Sequence, residues 1–161
     1  MDAFADPIQV VTGRAEGHTE LDAFDAALAD AGVHNYNLVT LSSVVPVDTA
    51  VSVVDEPAVE WPTGAPVAVV LAERTTATAT RVAAGLGWAL ADEGGVFYEA
   101  TSSDADACRR ELRRGLRGAR DRRDWDWEDG SETEVVEFVP DDPPGAVVAA
   151  AVYGPPYPTG R

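Results

Sequence analysis

The chain of 161 residues carries 28 acidic and 12 basic side chains, a formal net charge of −16, and every basic residue is arginine. The missing lysine excludes a pyridoxal phosphate enzyme and a P-loop, both of which need one. Two histidines and a single cysteine, Cys108, exclude an internal disulfide and leave too few ligands for a Cys/His zinc site, so no metal is expected. An acid excess of this size repels itself at ordinary salt and is screened in concentrated salt, which fits a salt-in halophile; a high-GC genome explains arginine over lysine but explains the acid excess less well.

The length suits one domain, 1–161, with a real core. No internal repeat is present. The longest apolar run, near 145–153, is too short to span a bilayer, and the start M-D-A-F-A-D-P lacks the basic and apolar stretches of a signal peptide. A soluble cytoplasmic protein without a membrane partner is expected.

In chain order, residues 8–12 read as a strand ending at Gly13. Thr19 starts a helix, with Asp22 completing an approximate capping box; Leu21, Phe24, Leu28 and Ala31 recur at helical spacing, and Gly32 closes it. Asp30 falls on the wet face. Asp25 sits at the edge of the apolar stripe, half sheltered, where the plain reading is a boundary residue paired with an arginine or a backbone amide. Residues 36–41 form a strand leading into Ser42-Ser43, and 44–65 a long connection rich in proline. A buried strand spans 66–73. Residues 76–92 read as a small-residue helix carrying Val82, Leu86, Trp88 and Leu90, its glycines Gly85 and Gly87 marking close packing.

Residues 95–101, G-V-F-Y-E-A-T, form a strand apolar on both faces, with Glu99 on the face of Phe97. A glutamate desolvated there has a raised pKa and can donate a proton near neutral pH; at an edge position it simply reaches water, and both readings stay open. Residues 104–120 form an amphipathic helix whose buried stripe is Cys108, Leu112, Leu116 and Ala119. Eight arginines between 109 and 123 coat the remainder. A nucleic-acid face is conceivable, but the acidic molecule repels phosphate, so a solvated helix paired with surface carboxylates is the stronger reading and no nucleic acid is expected. Three strands follow, at 125–127, 133–139 and 146–153, and the proline-rich tail from Gly154 is expected to be loose. The order makes an α/β layered domain with too few βαβ repeats, and no glycine fingerprint, for a Rossmann fold.

The serine pair carries the most chemistry. A serine hydroxyl at a strained peptide can attack the preceding carbonyl and convert the amide to an ester. β-Elimination and hydrolysis then leave a cut chain beginning with a pyruvoyl group. That electrophilic carbonyl can condense with an amine and act as an electron sink, the work of pyridoxal phosphate without a lysine.

The stretch E-G-H-T-E-L-D-A-F-D-A-A-L-A-D-A-G-V-H-N-Y-N-L-V-T-L-S-S-V-V-P, residues 16–46, closely resembles the pyruvoyl-dependent arginine decarboxylases. The pattern is L-x-A-F-D-x-A-L, then A-G, N-x-N-L, and S-S with a hydrophobic pair before proline. Weaker similarity continues through P-x-x-x-x-L-A-E, G-V-F-Y-E and the last strand. The resemblance implies an αββα sandwich cut between Ser42 and Ser43 into a β chain, 1–42, and an α chain, 43–161, whose pyruvoyl cofactor comes from Ser43. It implies conversion of L-arginine to agmatine and carbon dioxide, a step toward polyamines, in homo-oligomers (trimers or dimers of trimers) with sites between neighbouring subunits. Carried over by position, Asp25 matches an aspartate near the substrate guanidinium and Leu28 a nonpolar pocket position. Glu99 matches the glutamate assigned to proton donation, and Asn37 an asparagine at the site. Strand alternation puts Asn37 on the face of Ser43 but roughly 20 Å away along a straight strand, so either the chain bends or Asn37 acts from another direction. Val45 replaces a larger methionine often seen there, and His34 stands where glycine is common. The rival readings are a pyruvoyl decarboxylase for another basic amino acid and an uncut, non-catalytic subunit of the same fold.

Overall fold

The computed structural model describes residues 7–156. In chain order they form β1 (Ile8–Glu16), α1 (Glu20–Asp30), β2 (Asn37–Thr40), β3 (Val44–Val45), β4 (Val51–Val53), β5 (Pro66–Thr76), β6 (Val82–Ala91), β7 (Gly94–Ser102), α2 (Ala105–Asp121), β8 (Glu132–Phe138) and β9 (Gly145–Gly154). One sheet has the order β2-β5-β9-β1-β4, the other β3-β7-β6-β8.

β9 shows why these layers stack. It lies between β1 and β5, antiparallel to both, and every one of its residues is buried. Val147, Ala149, Ala151 and Tyr153 face the other sheet; Ala146, Val148, Ala150 and Val152 face α1. Small side chains on both faces let a sheet and a helix approach from opposite sides. On the second sheet, Ala83, Ala100, Cys108 and Leu112 join it to α2. The result is the expected αββα sandwich. No helix among the described residues is long and apolar enough to cross a membrane.

Both helices begin where their caps predict. The Thr19 hydroxyl accepts from Asp22 N at 3.0 Å, and the Asp22 carboxylate accepts from His18 N at 2.7 Å. At the other end Gly32, at φ 82°, permits a Schellman closure in which Val33 N donates to Leu28 O. The buried face differs from the expected one. Ala23, Ala27, Leu28 and Ala31 are inside, whereas Leu21 is 76% exposed. α1 lies so close to β1 that any Cβ at Gly13 would overlap the carbonyl of Ala27. Such an approach favours alanines, so the helix turns its alanine face inward. Gly13 therefore does not end β1 but sits within it.

Residues 76–92 correct the expectation more deeply, because 82–91 are a strand. Val82, Leu86, Trp88 and Leu90 are all even-numbered and fit a period of two better than a helical one. Val82, Ala84, Leu86 and Trp88 face the core between the sheets. Gly85 and Gly87 do mark close packing: a Cβ would stand 3.1 Å from Leu112 Cδ1 at the first and 2.7 Å from Leu116 Cδ1 at the second. Residues 125–127 make no strand, only the isolated bridge Ala91–Trp127, and the 44–65 connection contains β3 and β4. Gly154 closes β9, and 157–161 of the expected loose tail lie outside the described residues.

α2 has its predicted stripe, with Cys108, Leu112, Leu116 and Ala119 buried and Asp104 capping Ala107 N at 2.8 Å. Burial and Glu111 raise the Cys108 thiol to about 11, so it is a core group. The expected carboxylate pairing of the arginines is sparse. Among the described residues the ion pairs are Arg81–Glu137 and Arg109–Asp106, both at 3.3 Å. Arg120 and Arg123 stack on Trp127 and Trp125 at 5.5 and 5.6 Å and donate to backbone carbonyls. Guanidinium planes suit aromatic faces better than they suit a short reach to mobile carboxylates.

Candidate active site

β2 and β3 belong to different sheets, so the chain crosses between them at 41–43. Leu41 N donates to Val69 O at 2.8 Å, the last bond to the first sheet, and Phe97 N donates to Ser43 O at 2.8 Å, the first bond to the second. Ser42 lies between these two anchors. The Ser42–Ser43 peptide is thus held at both ends and exposed between them, with Ser42 open to solvent and Ser43 half-buried.

The short β3 packs closely on β7 because Gly94 and Gly95 lie against Val45. Val44 pairs with Val96 and Val45 with Gly95. A Cβ at Gly95 would stand 3.1 Å from Val45 Cβ, and one at Gly94 2.7 Å from Val45 O. Continuing this register by one residue sets Ser43 opposite Phe97, and Glu99 follows two residues further along β7 on the face of Phe97. Opposed residues share a face, and diagonal neighbours on antiparallel strands stand about 7–8 Å apart, within reach of a long side chain. The register therefore brings Glu99 to Ser43. Glu99 is exposed as a residue, yet packing removes enough water to push its carboxyl above the usual carboxylate range. The edge and desolvated readings of Glu99 both describe it. Ser43 also borders a cleft of about 310 Å³ between β7 and α2, shared with Tyr98, Arg114, Gly115 and Arg122.

The other sequence candidates lie elsewhere in the chain. Asp25 is exposed on α1, and Leu28, 8% exposed, packs in the core between α1 and its sheet. A whole sheet separates them from Ser43 and Glu99. Asn37 starts β2, and its side-chain amide donates to Gly64 O at 2.8 Å. The chain does bend, but at 41–43, so roughly 10 Å of strand still separates Asn37 from Thr40. Sequence reasoning missed Tyr153, whose hydroxyl donates to Val44 O at 2.8 Å. Strand alternation from Val147 could have placed it between the sheets, but its target across 109 residues could not be read. A pyruvoyl group made from Ser43 fits this setting, because the carbonyl it would retain, that of Ser43, already accepts from Phe97 N.

The family model described as pyruvoyl-dependent arginine decarboxylase matches residues 7–157. The chain is 43% identical over 152 residues to the pyruvoyl-dependent arginine decarboxylase of Halobacterium salinarum, covering 91% of this chain and 93% of that protein. It is 33% identical over 156 residues to the pyruvoyl-dependent arginine decarboxylase of Pyrococcus abyssi, with the same coverage of 91% and 93%. A shorter match, 49% over 39 residues, joins 24% of each chain to the protein of that name from Methanocaldococcus jannaschii. With a two-sheet αββα sandwich and the serine pair at its crossover, the chain belongs to the pyruvoyl-dependent arginine decarboxylase family.

Proposed function

We propose that this protein decarboxylates L-arginine to agmatine and carbon dioxide in the cytoplasm of a halophile, after cutting itself between Ser42 and Ser43. The observation that carries the reading is the anchored crossover, with Glu99 brought to Ser43 by the β3–β7 register. In the cut, Ser43 Oγ attacks the Ser42 carbonyl carbon and the Ser43 nitrogen takes a proton, giving an ester. Loss of the Ser43 α-proton expels the Ser42 carboxylate, and water then releases ammonia to leave the pyruvoyl group on Val44. That group supplies an electron sink for the bond to the departing carboxylate.

The chain's own residues do the rest. Glu99 holds a proton to be delivered to the substrate α-carbon, and its raised pKa keeps that proton available toward neutral pH. Asp25 binds the guanidinium, a planar group that a carboxylate can hold with two hydrogen bonds, and Leu28 lines the pocket beside it. These two lie a sheet away from Ser43 of their own chain, so they serve the serine of a neighbouring copy in a trimer or dimer of trimers. Asn37 fixes the turn at Gly64 and joins the site from that same neighbour.

Denaturing mass spectrometry tests the reading. Chains of 1–42 and 43–161, the larger with a pyruvoyl mass at its start, are expected, and Ser43→Ala stays folded and intact. A full-length mass with unchanged Ser43 after incubation in concentrated salt would refute the reading in favour of an uncut subunit. Carbon dioxide release from arginine, lysine and ornithine then fixes the substrate, since Asp25 selects a cationic side chain without separating the three.

A further inference from the structure

The cut proposed above creates a mechanical problem. Before it, β3 is tied to β2 on one side and to β4 on the other. After it, the cofactor-bearing end is a free terminus held to β7 by a two-residue strand and the bond at Ser43. Chain ends this short fray unless something holds them. The side chain that meets this need is Tyr153.

Ser43 O accepts from Phe97 N, so Ser43–Phe97 is a hydrogen-bonded pair of the antiparallel ladder. The next residue, Val44, then turns its own N–H and C=O away from β7. β3 is the edge of its sheet, and among the described residues no strand pairs with it on that side. The Tyr153 hydroxyl reaches across from β9 in the opposite sheet and donates to Val44 O at 2.8 Å. Two successive carbonyls at the head of the future α chain are therefore gripped from opposite edges, one by each sheet. Tyr153 is 5% exposed, and its ring meets Phe97 at 6.1 Å between centroids, so the hydroxyl is aimed by the core. Burial pushes its pKa well above the ordinary tyrosine value, which keeps the hydroxyl a donor.

We propose that Tyr153 is a positioning residue that holds the pyruvoyl-bearing terminus in place after the cut. This rests on the self-cleavage reading. In the uncut chain the tether is redundant, because the covalent connection to β2 does the same work; in the cut chain it is needed.

Tyr153→Phe keeps the ring and removes the hydroxyl that donates to Val44 O. The mass of the wild type first shows whether the cut occurs, and an uncut wild type would overturn the cleavage reading and the tether together. With the cut present, hydrogen–deuterium exchange is followed in peptides covering 44–50 and 95–100. It is compared in cut protein and in the uncut Ser43→Ala background. Tyr153→Phe is expected to speed exchange there about fivefold in the cut protein, the factor of one net hydrogen bond, and to leave the uncut background nearly unchanged. With arginine, kcat falls severalfold while KM holds. Equal effects in cut and uncut protein, or none in the cut one, would overturn the tether while leaving self-cleavage intact.

Discussion

The cleft beside Ser43 depends on a missing methyl group. Gly115 of α2 lies against Tyr98, and a Cβ there would overlap three atoms of the Tyr98 ring. The overlap is roughly 1 Å against an ordinary carbon–carbon separation. Helix α2 cannot retreat, because Leu112 and Leu116 pin it at 0% and 1% exposure, whereas Tyr98 is 38% exposed and can move. The space open to it is the cleft that Ser43 borders. Gly115→Ala should therefore push the ring toward Ser43. Overpacking costs about 1–3 kcal/mol, offset by about 1 kcal/mol from the better helix former, for a net loss of up to about 2 kcal/mol. For a chain of this size that lowers Tm by up to about 4–8 °C. Gly118, three residues on, has nothing within 4 Å, so Gly118→Ala should show the propensity gain alone and raise Tm by up to about 2–4 °C. Thermal unfolding of the pair at fixed high salt, with the rate of appearance of cut chains by mass spectrometry, measures both. Gly115→Ala should also slow cutting or turnover severalfold. If it proves as stable and active as Gly118→Ala, the account of the cleft is wrong.

Glu99→Gln should reduce kcat by about 10²–10⁴-fold, the range of a lost general acid. The pH profile gives the sign: burial favours the neutral acid, so wild-type turnover should fall as pH rises through a Glu99 pKa above the usual carboxylate range, and the variant should lack that limb. A variant with full turnover removes Glu99 from the mechanism. The net charge of −16 predicts a Tm that climbs with potassium chloride, because screening shortens from about 8 Å at 0.15 M to about 3 Å at 1 M. A Tm that stays flat or falls over that range would remove self-repulsion as a main determinant of stability.

Much of the layering was legible because the signals were local. Thr19 and Gly32 marked the ends of α1 by side-chain and backbone chemistry confined to a few residues, and the structure uses them that way. The apolar runs of β7 and β9 were equally plain as strands. The failures came where small residues erased the contrast between periods. In 82–91, alanine and glycine fit a helix as readily as a strand buried on both faces, and long-range pairing with β7 and β8 settles which one forms. On α1, the choice between a leucine face and an alanine face was made by β1 at Gly13, which no local pattern contains. For the site, Ser43 and Glu99 could each be found in the sequence. Their proximity could not, because it depends on a two-residue strand hidden in a proline-rich connection.

The division of the candidate residues between two layers leads to one last prediction. Asp25 lies on α1, outside the first sheet, whereas Ser43 and Glu99 lie on the second. Stacked sheets stand roughly 10 Å apart, so these groups are beyond the span of one arginine side chain within a single copy. If each site joins the α1 face of one copy to the β7 edge of the next, two inactive variants can complement each other. On the proposed roles, Asp25→Ala lacks only the guanidinium contact, and Glu99→Gln lacks only the proton donor. Mixed before assembly in equal amounts, they place an intact Asp25 beside an intact Glu99 at roughly a quarter of the interfaces, since each heterologous contact draws its two sides independently. Turnover should then recover to roughly that fraction of wild type, although each variant alone stays near zero. The same variants mixed after assembly are the control and should not recover until subunits exchange. No recovery in co-assembled mixtures would mean that each copy carries its own complete site, and that Asp25 does not bind the substrate.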